Sequence, residues 1–172
     1  MTLEEISAHL EIREVLYRYC RGIDRVDSDI IASIYHPGAI DNHGRFRGPG
    51  VEFAKWTTDA MKETTKGVGQ HHITNVMIEL DGDTAHVESY CIAWHPYLQE
   101  DGKSEGLGFV GSRFLDVFEK RDGKWKIADR RVIFDHSKTP TAEIPWSAAA
   151  HGIQGGRLQD DPSYGFMKDA YD

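Results

Sequence analysis

Asp24 and the adjacent pair His71-His72 are the residues of this chain best suited to moving a proton. A carboxylate that orients an imidazole and stabilises its protonated form makes the ring a competent base near neutral pH. Such a base contributes about 10²–10⁴ in rate. Asp24 follows an apolar helical stretch in Tyr19-Cys20-Arg21-Gly22-Ile23-Asp24-Arg25. There it either enters an enclosed space or pairs with Arg21 or Arg25 on the surface, and for a lone helix-end acid the surface pair is the commoner fate. His71 and His72 open an extended segment. Neighbours in a strand point to opposite faces, so only one of them shares a pocket with Asp24, and the two cannot jointly hold a metal without a bulge. Strict alternation groups His72 with Val76, Ile78 and Leu80, and His71 with Ile73, Asn75 and Met77. Either face can be the inner one.

Tyr19 supplies a hydroxyl that can polarise a carbonyl or a leaving oxygen. Five helical residues turn it about 140° from Asp24, so the two share a pocket only if the helix loosens near Gly22. Asn42, His43, Trp94, His95 and Arg131 are further polar candidates; of Arg130 and Arg131, neighbours in a strand, at most one points inward. Trp56, Met61, Trp94 and Phe109 are the large side chains expected to shape a pocket. Gly-x-Ser-x-Gly is absent, and neither Cys20 nor Cys91 sits in a nucleophile motif. No zinc or EF-hand spacing occurs, and Gly106-Leu107-Gly108 opens no helix that could cradle a phosphate. The chemistry expected is therefore proton transfer without metal or cofactor.

The elements that must position these groups follow from periodicity. Ile6, Leu10, Val15, Leu16 and Tyr19 recur at helical spacing, and Thr2 with Glu5 forms a capping box, which predicts a helix from Leu3 to about Ile23. A short helix over Asp29–Tyr35 and a third from about Val51 to Thr64 follow. From Gln70 the pattern turns extended. Ile73–Leu80 and Thr84–Tyr97 join through Asp81-Gly82-Asp83, and Leu107–Lys120 and Trp125–His136 join around Asp122-Gly123, both hairpin signals. Helices first and then an antiparallel meander predict an α+β domain with helices on one face of a curved sheet. After Pro140, prolines, a Gly155-Gly156 pair and spaced aromatic anchors read as an irregular C-terminal arm over residues 141–172, lying on the body (1–140) or on a neighbouring subunit.

The chain has 172 residues, with 20 basic and 28 acidic side chains and a formal charge of −8. That sign disfavours phosphate backbones and anionic lipid, which argues against nucleic-acid or membrane partners. No apolar run reaches the ~18 residues a membrane span needs. Met1–Glu5 leads into a charged helix rather than a signal peptide, and two cysteines make no disulfide framework. A cytoplasmic protein is the expectation.

The stretches Glu14-Val15-Leu16-Tyr17-Arg18-Tyr19 through Asp24, Tyr35-His36-Pro37-Gly38-Ala39, Gln70-His71-His72-Ile73-Thr74-Asn75 and Arg121-Asp122-Gly123-Lys124-Trp125-Lys126-Ile127 resemble the SnoaL-like branch of the nuclear-transport-factor-2-like superfamily. The resemblance runs from about Glu4 to Pro140. It implies a cone of five to six curved antiparallel strands closed by three helices around an apolar pocket. Within that superfamily the chain is similar to scytalone dehydratase, hexachlorocyclohexane dehydrochlorinase and bile-acid 7α-dehydratase, cofactor-free lyases that use an Asp–His pair. Their aspartate falls on Asp24 and their histidine on His71, with His72 one step away; Tyr19 takes a position that is tyrosine in the bile-acid enzyme. The implied catalytic set is Asp24, His71 and Tyr19, and the inward arginine of some relatives falls on Arg131 or Arg130; with Arg131, the residues His72, Asn42, Trp56 and Trp94 are the expected substrate contacts. The implied activity is a dehydratase-type elimination on a small, mostly apolar cyclic or polyketide-like molecule, in a homodimer or homotrimer. An isomerase or cyclase using the same base, or a binding protein that keeps the pocket without chemistry, are the alternatives.

Overall fold

The computed structural model of the protein describes residues 1–64, 68–98, 105–138 and 157–160. The first helix, α1 (Leu3–Arg25), begins where the capping box predicts: the Glu5 backbone N–H donates to Thr2 Oγ1 at 3.1 Å, and the Thr2 N–H to Glu5 Oε2 at 2.7 Å. Ala8, Ile12, Val15, Leu16, Tyr19 and Ile23 form its buried stripe. The helix runs unbroken through Gly22 and ends at Val26, whose left-handed backbone (φ 57°) returns its N–H to the last turn. Asp27 then caps α2 (Ser28–Ser33), accepting from the N–H groups of Asp29 and Ile30. Strands β1 (Tyr35–Asn42) and β2 (Arg47–Pro49) lead into α3 (Gly50–Thr64).

Four long strands complete the sheet: β3 (Gln70–Asp81), β4 (Thr84–Leu98), β5 (Glu105–Arg121) and β6 (Lys124–Lys138). The spatial order is β2-β1-β6-β5-β4-β3. The β5–β6 hairpin turns on Asp122 and Gly123, both at positive φ, the backbone a two-residue type I′ turn requires. The pairings form the antiparallel meander the pattern predicts, with one difference: β1 lies parallel to β6, so the sheet is mixed. Its concave face receives α1 against β3 and β6, with α3 beside β1 and α2. The result is the expected α+β architecture, three helices on a curved, unclosed six-stranded sheet.

Two of the sheet's irregularities decide which of the candidate residues on β3 and β6 face the core. Pairing between β3 and β4 shifts between Ile73 and Val76, and pairing between β5 and β6 shifts between Val117 and Phe118, where Ala128 is the extra residue. Each inserts one unpaired position and reverses the phase of alternation beyond it. The narrow end of the cone is filled by Ile12, Leu16, Phe118 and Ile127, all fully buried. The outer face of the sheet carries Met77, Tyr90, Ile92 and Trp94, each more than a third exposed. The loop 99–104 and nearly all of the expected arm lie outside the described residues; within the arm, Leu158–Asp160 form a short 3-10 turn.

Candidate active site

His71 enters the concave side from the start of β3, opposite Ala93 of β4. Asp24, in the last turn of α1, grips it with both oxygens: Oδ1 lies 2.7 Å from the ring Nδ1, and Oδ2 accepts the His71 backbone N–H at 3.2 Å. The side chains are 6% and 14% exposed. Carboxylate contact at Nδ1 fixes the ring orientation and leaves Nε2 as the nitrogen available for chemistry. The His71 ring borders a cavity of about 340 Å³. Asp24 stands behind the ring and is not among the residues lining the cavity.

Tyr19 also lines the cavity, and its ring meets that of His71 edge to face at 6.1 Å. The helix has not loosened at Gly22. Tyr19 and Asp24 meet His71 from different sides because the imidazole, projecting from the sheet, bridges the angle between them. Burial pushes the Tyr19 hydroxyl well above its ordinary value, more than the nearby Arg130 lowers it. The phenol therefore stays protonated and is able to donate a hydrogen bond. The Arg130 guanidinium lies 4.6 Å from the centre of the Tyr19 ring and 4.3 Å from that of Phe114. It is fully buried and bidentate to Asp116, its cross-strand neighbour on β5, at 2.8 and 2.7 Å. Burial alone would lower the guanidinium's proton affinity; the Asp116 carboxylate outweighs it and holds Arg130 firmly protonated.

Two more histidines face the same space. His95 on β4 lies 4.9 Å from His71, ring centre to ring centre. Burial, with lesser contributions from His71 and His43, pushes it down to about 3, so it is neutral at physiological pH. His43 follows β1 and stacks on Phe53 of α3 at 4.5 Å. The apolar lining is supplied by Ile23, Met61, Val110, Phe114 and Phe134, with Trp56 and Arg45 also contributing.

Of the residues singled out from sequence, Tyr19, His43, Trp56, Met61, His71 and His95 line the cavity, and Asp24 supports it from behind. His72, Asn42, Trp94 and Arg131 do not line it. His72 is exposed on the opposite side of β3 from His71. Along β4 the inward positions are Ala85, Val87, Ser89, Cys91 and Ala93, so Trp94 points outward, against Phe109. Asn42 is off-phase from the inward Ala39 and Asp41. Arg131 is exposed and borders an outer groove with Glu79 and Asp129, while Arg130 is the inward member of its pair. The Ala128 bulge is the cause: alternation continued from Trp125 and Ile127 would turn Arg131 inward. Sequence reasoning underrated His43 and missed Asp41, two residues apart on one face of an extended segment.

A model of the SnoaL-like domain matches residues 4–131. The chain belongs to the SnoaL-like family. A relative in Mycobacterium tuberculosis, itself uncharacterized, is 26% identical over 133 residues, 76% of this chain and 87% of the relative. Among solved structures, a protein of Novosphingobium aromaticivorans classed provisionally as a scytalone dehydratase superposes with a TM-score of 0.69 at 21% identity, covering 84% of this chain and 97% of the other. Hexachlorocyclohexane dehydrochlorinase LinA-type3 from Novosphingobium barchaimii gives 0.68 at 20% identity, covering 83% and 95%. At these identities the structural likeness establishes the SnoaL-like fold.

Proposed function

We propose that this SnoaL-like protein is a cofactor-independent lyase that carries out a dehydratase-type elimination on a small, mostly apolar, cyclic or polyketide-like molecule. The observation that carries the reading is the two-point grip of Asp24 on His71 at the wall of a half-open, largely apolar cavity. In that setting His71 Nε2 removes a proton from a carbon next to a carbonyl, and the Asp24 charge stabilises the imidazolium that forms. The protonated Tyr19 hydroxyl donates to the carbonyl oxygen as negative charge develops there, in a space where fixed donors act more strongly than in water. The family's structural relatives include proteins named for dehydration and dehydrochlorination, which supports the reaction class.

Base function is tested apart from the leaving group by deuterium exchange at C2 of 1-tetralone, a bicyclic ketone of suitable size, in D₂O. The wild-type protein exchanges this position, and His71→Ala slows the exchange about 10²–10⁴-fold. Equal exchange by a His71→Ala protein of unchanged melting temperature refutes the reading.

A further inference from the structure

A second carboxylate–imidazole pair borders the same cavity. Asp41 is fully buried and uses both oxygens: Oδ2 accepts the Tyr35 hydroxyl at 2.6 Å, and Oδ1 lies 3.2 Å from Nδ1 of His43. As with Asp24 and His71, the carboxylate takes Nδ1 and leaves Nε2 for the cavity. The His43 ring cannot easily swing away, since it stacks on Phe53 and its backbone N–H donates to the Phe46 carbonyl at 2.8 Å. It lies 6.4 Å from the Tyr19 ring, as His71 lies 6.1 Å from it, so the two imidazoles flank one phenol.

We propose that His43, oriented by Asp41 and Tyr35, is the general acid that protonates the departing oxygen. The assignment rests on His71 being the base. Charge balance supports it. Asp41, Arg130 and Asp116 lie side by side in one row across β1, β6 and β5, and Arg130 is committed to Asp116 by two hydrogen bonds. Two buried carboxylates and one guanidinium leave a formal charge of −1 beside the His43 ring. The other groups at the cavity are poor acids at neutral pH. Tyr19 holds its proton too tightly, burial pushes the Cys91 thiol up to about 11, and His95 is already neutral.

The step balances as follows. His71 Nε2 takes the α-proton; the C–H electron pair becomes the new C=C bond; the C–O bond breaks; and the oxygen leaves as water with the Nε2 proton of His43. His71 ends as imidazolium and His43 as neutral imidazole, and exchange with solvent restores both. A halide needs no such proton. The pair therefore selects a substrate class: β-hydroxy carbonyl compounds rather than halides.

Three probes separate the steps. The first is 3-hydroxy-1-tetralone, whose dehydration gives 1-naphthol. The others are its 3-acetoxy counterpart, whose leaving group departs without a proton, and 1-tetralone, which only exchanges. His43→Gln keeps a donor toward Asp41 but has no transferable proton. It should slow 1-naphthol formation from the hydroxy compound about 100-fold. Acetate loss and 1-tetralone exchange should change by no more than about three-fold. Asp41→Asn, a positioning variant, should give the same split with smaller amplitude. Undiminished dehydration by His43→Gln overturns the proposal, and so does an equal fall in all three reactions, which would mark His43 as merely structural. Should His43→Gln fail to fold, His43→Phe, which preserves stacking on Phe53, takes its place. Failure of the wild-type protein to exchange 1-tetralone overturns instead the assignment of His71.

Discussion

Asp116→Asn removes one charge from a pair whose two side chains are both fully buried. The amide matches the carboxylate in shape, so packing is preserved and the electrostatic consequence is isolated. Arg130 would keep its charge without its bidentate partner, between two aromatic rings and far from water, with only Asp41, already engaged by Tyr35 and His43, as a neighbouring carboxylate. Breaking a buried pair in this way costs about 3–5 kcal/mol, a large part of the roughly 5–15 kcal/mol that holds a domain folded. With a urea dependence of about 2 kcal/mol per molar, the unfolding midpoint should fall by about 2 M. Arg130→Met is the reciprocal break, stranding the carboxylate and removing the cation that supports Tyr19, and should cost a similar amount. The double variant Asp116→Leu, Arg130→Met exchanges the pair for apolar side chains and should recover most of the loss, since such exchanges are often neutral or stabilising. The measurement is urea unfolding followed by tryptophan fluorescence for the wild type and the three variants. Strongly non-additive losses are expected. A midpoint within about 0.3 M of wild type for Asp116→Asn would refute the argument, because a charge that can be stranded so cheaply is not desolvated.

Two further outcomes follow from the same geometry. His95 is pushed from 6.5 down to about 3, so the unfolded chain binds its proton across that window and the folded one does not. Stability should therefore be complete above pH 6.5 and fall as pH drops toward 3. His95→Leu should shrink the difference in unfolding free energy between pH 7 and pH 4 by about 3 kcal/mol, and an unchanged difference would contradict it. Gly50 leaves no room for a side chain, since a Cβ there would stand 2.4 Å from the Tyr35 ring. Gly50→Ala should cost about 1–3 kcal/mol in thermal or urea unfolding and, by displacing Tyr35 from Asp41, loosen His43; a neutral effect would show that the ring yields freely.

The parts of the molecule fixed by neighbouring residues were legible in the sequence. The capping box of α1 and the Asp122-Gly123 turn each depend on a few adjacent positions, and their residue types name the geometry. The order of helices and strands followed from periodicity for the same reason. What remained illegible depends on register between distant segments. On β3, His71 and Ile73 share the inner face with Val76, Ile78 and Leu80 only because the pairing shifts after Ile73. Strict alternation had put those residues in opposite groups. On β6 the extra residue Ala128 turns Arg130 inward and Arg131 out. A bulge is set by the partner strand, and no local composition announces it. Asp41 and His43 were obscured similarly, since the strand has to be placed before its inner phase can be read.

The location of the cavity follows from side-chain size. Where Phe118, Trp125 and Ile127 face Leu16 and Ile12, the cone is packed solid. Toward the other end the strands present Cys91, Ala93 and Ser112 instead, residues too small to reach α1 and α3. Helices held apart by the packed end cannot close over the small one, and a half-open cavity is left. The polar groups there come from the ends of elements, Asp24 in the last turn of α1, His71 at the start of β3 and His43 just past β1, where a change in side chain disturbs the packed end least. Chains about 20% identical can therefore share this architecture while differing at the cavity wall. For this chain the chemistry must be argued from His71, His43, their two carboxylates and Tyr19, not from the fold.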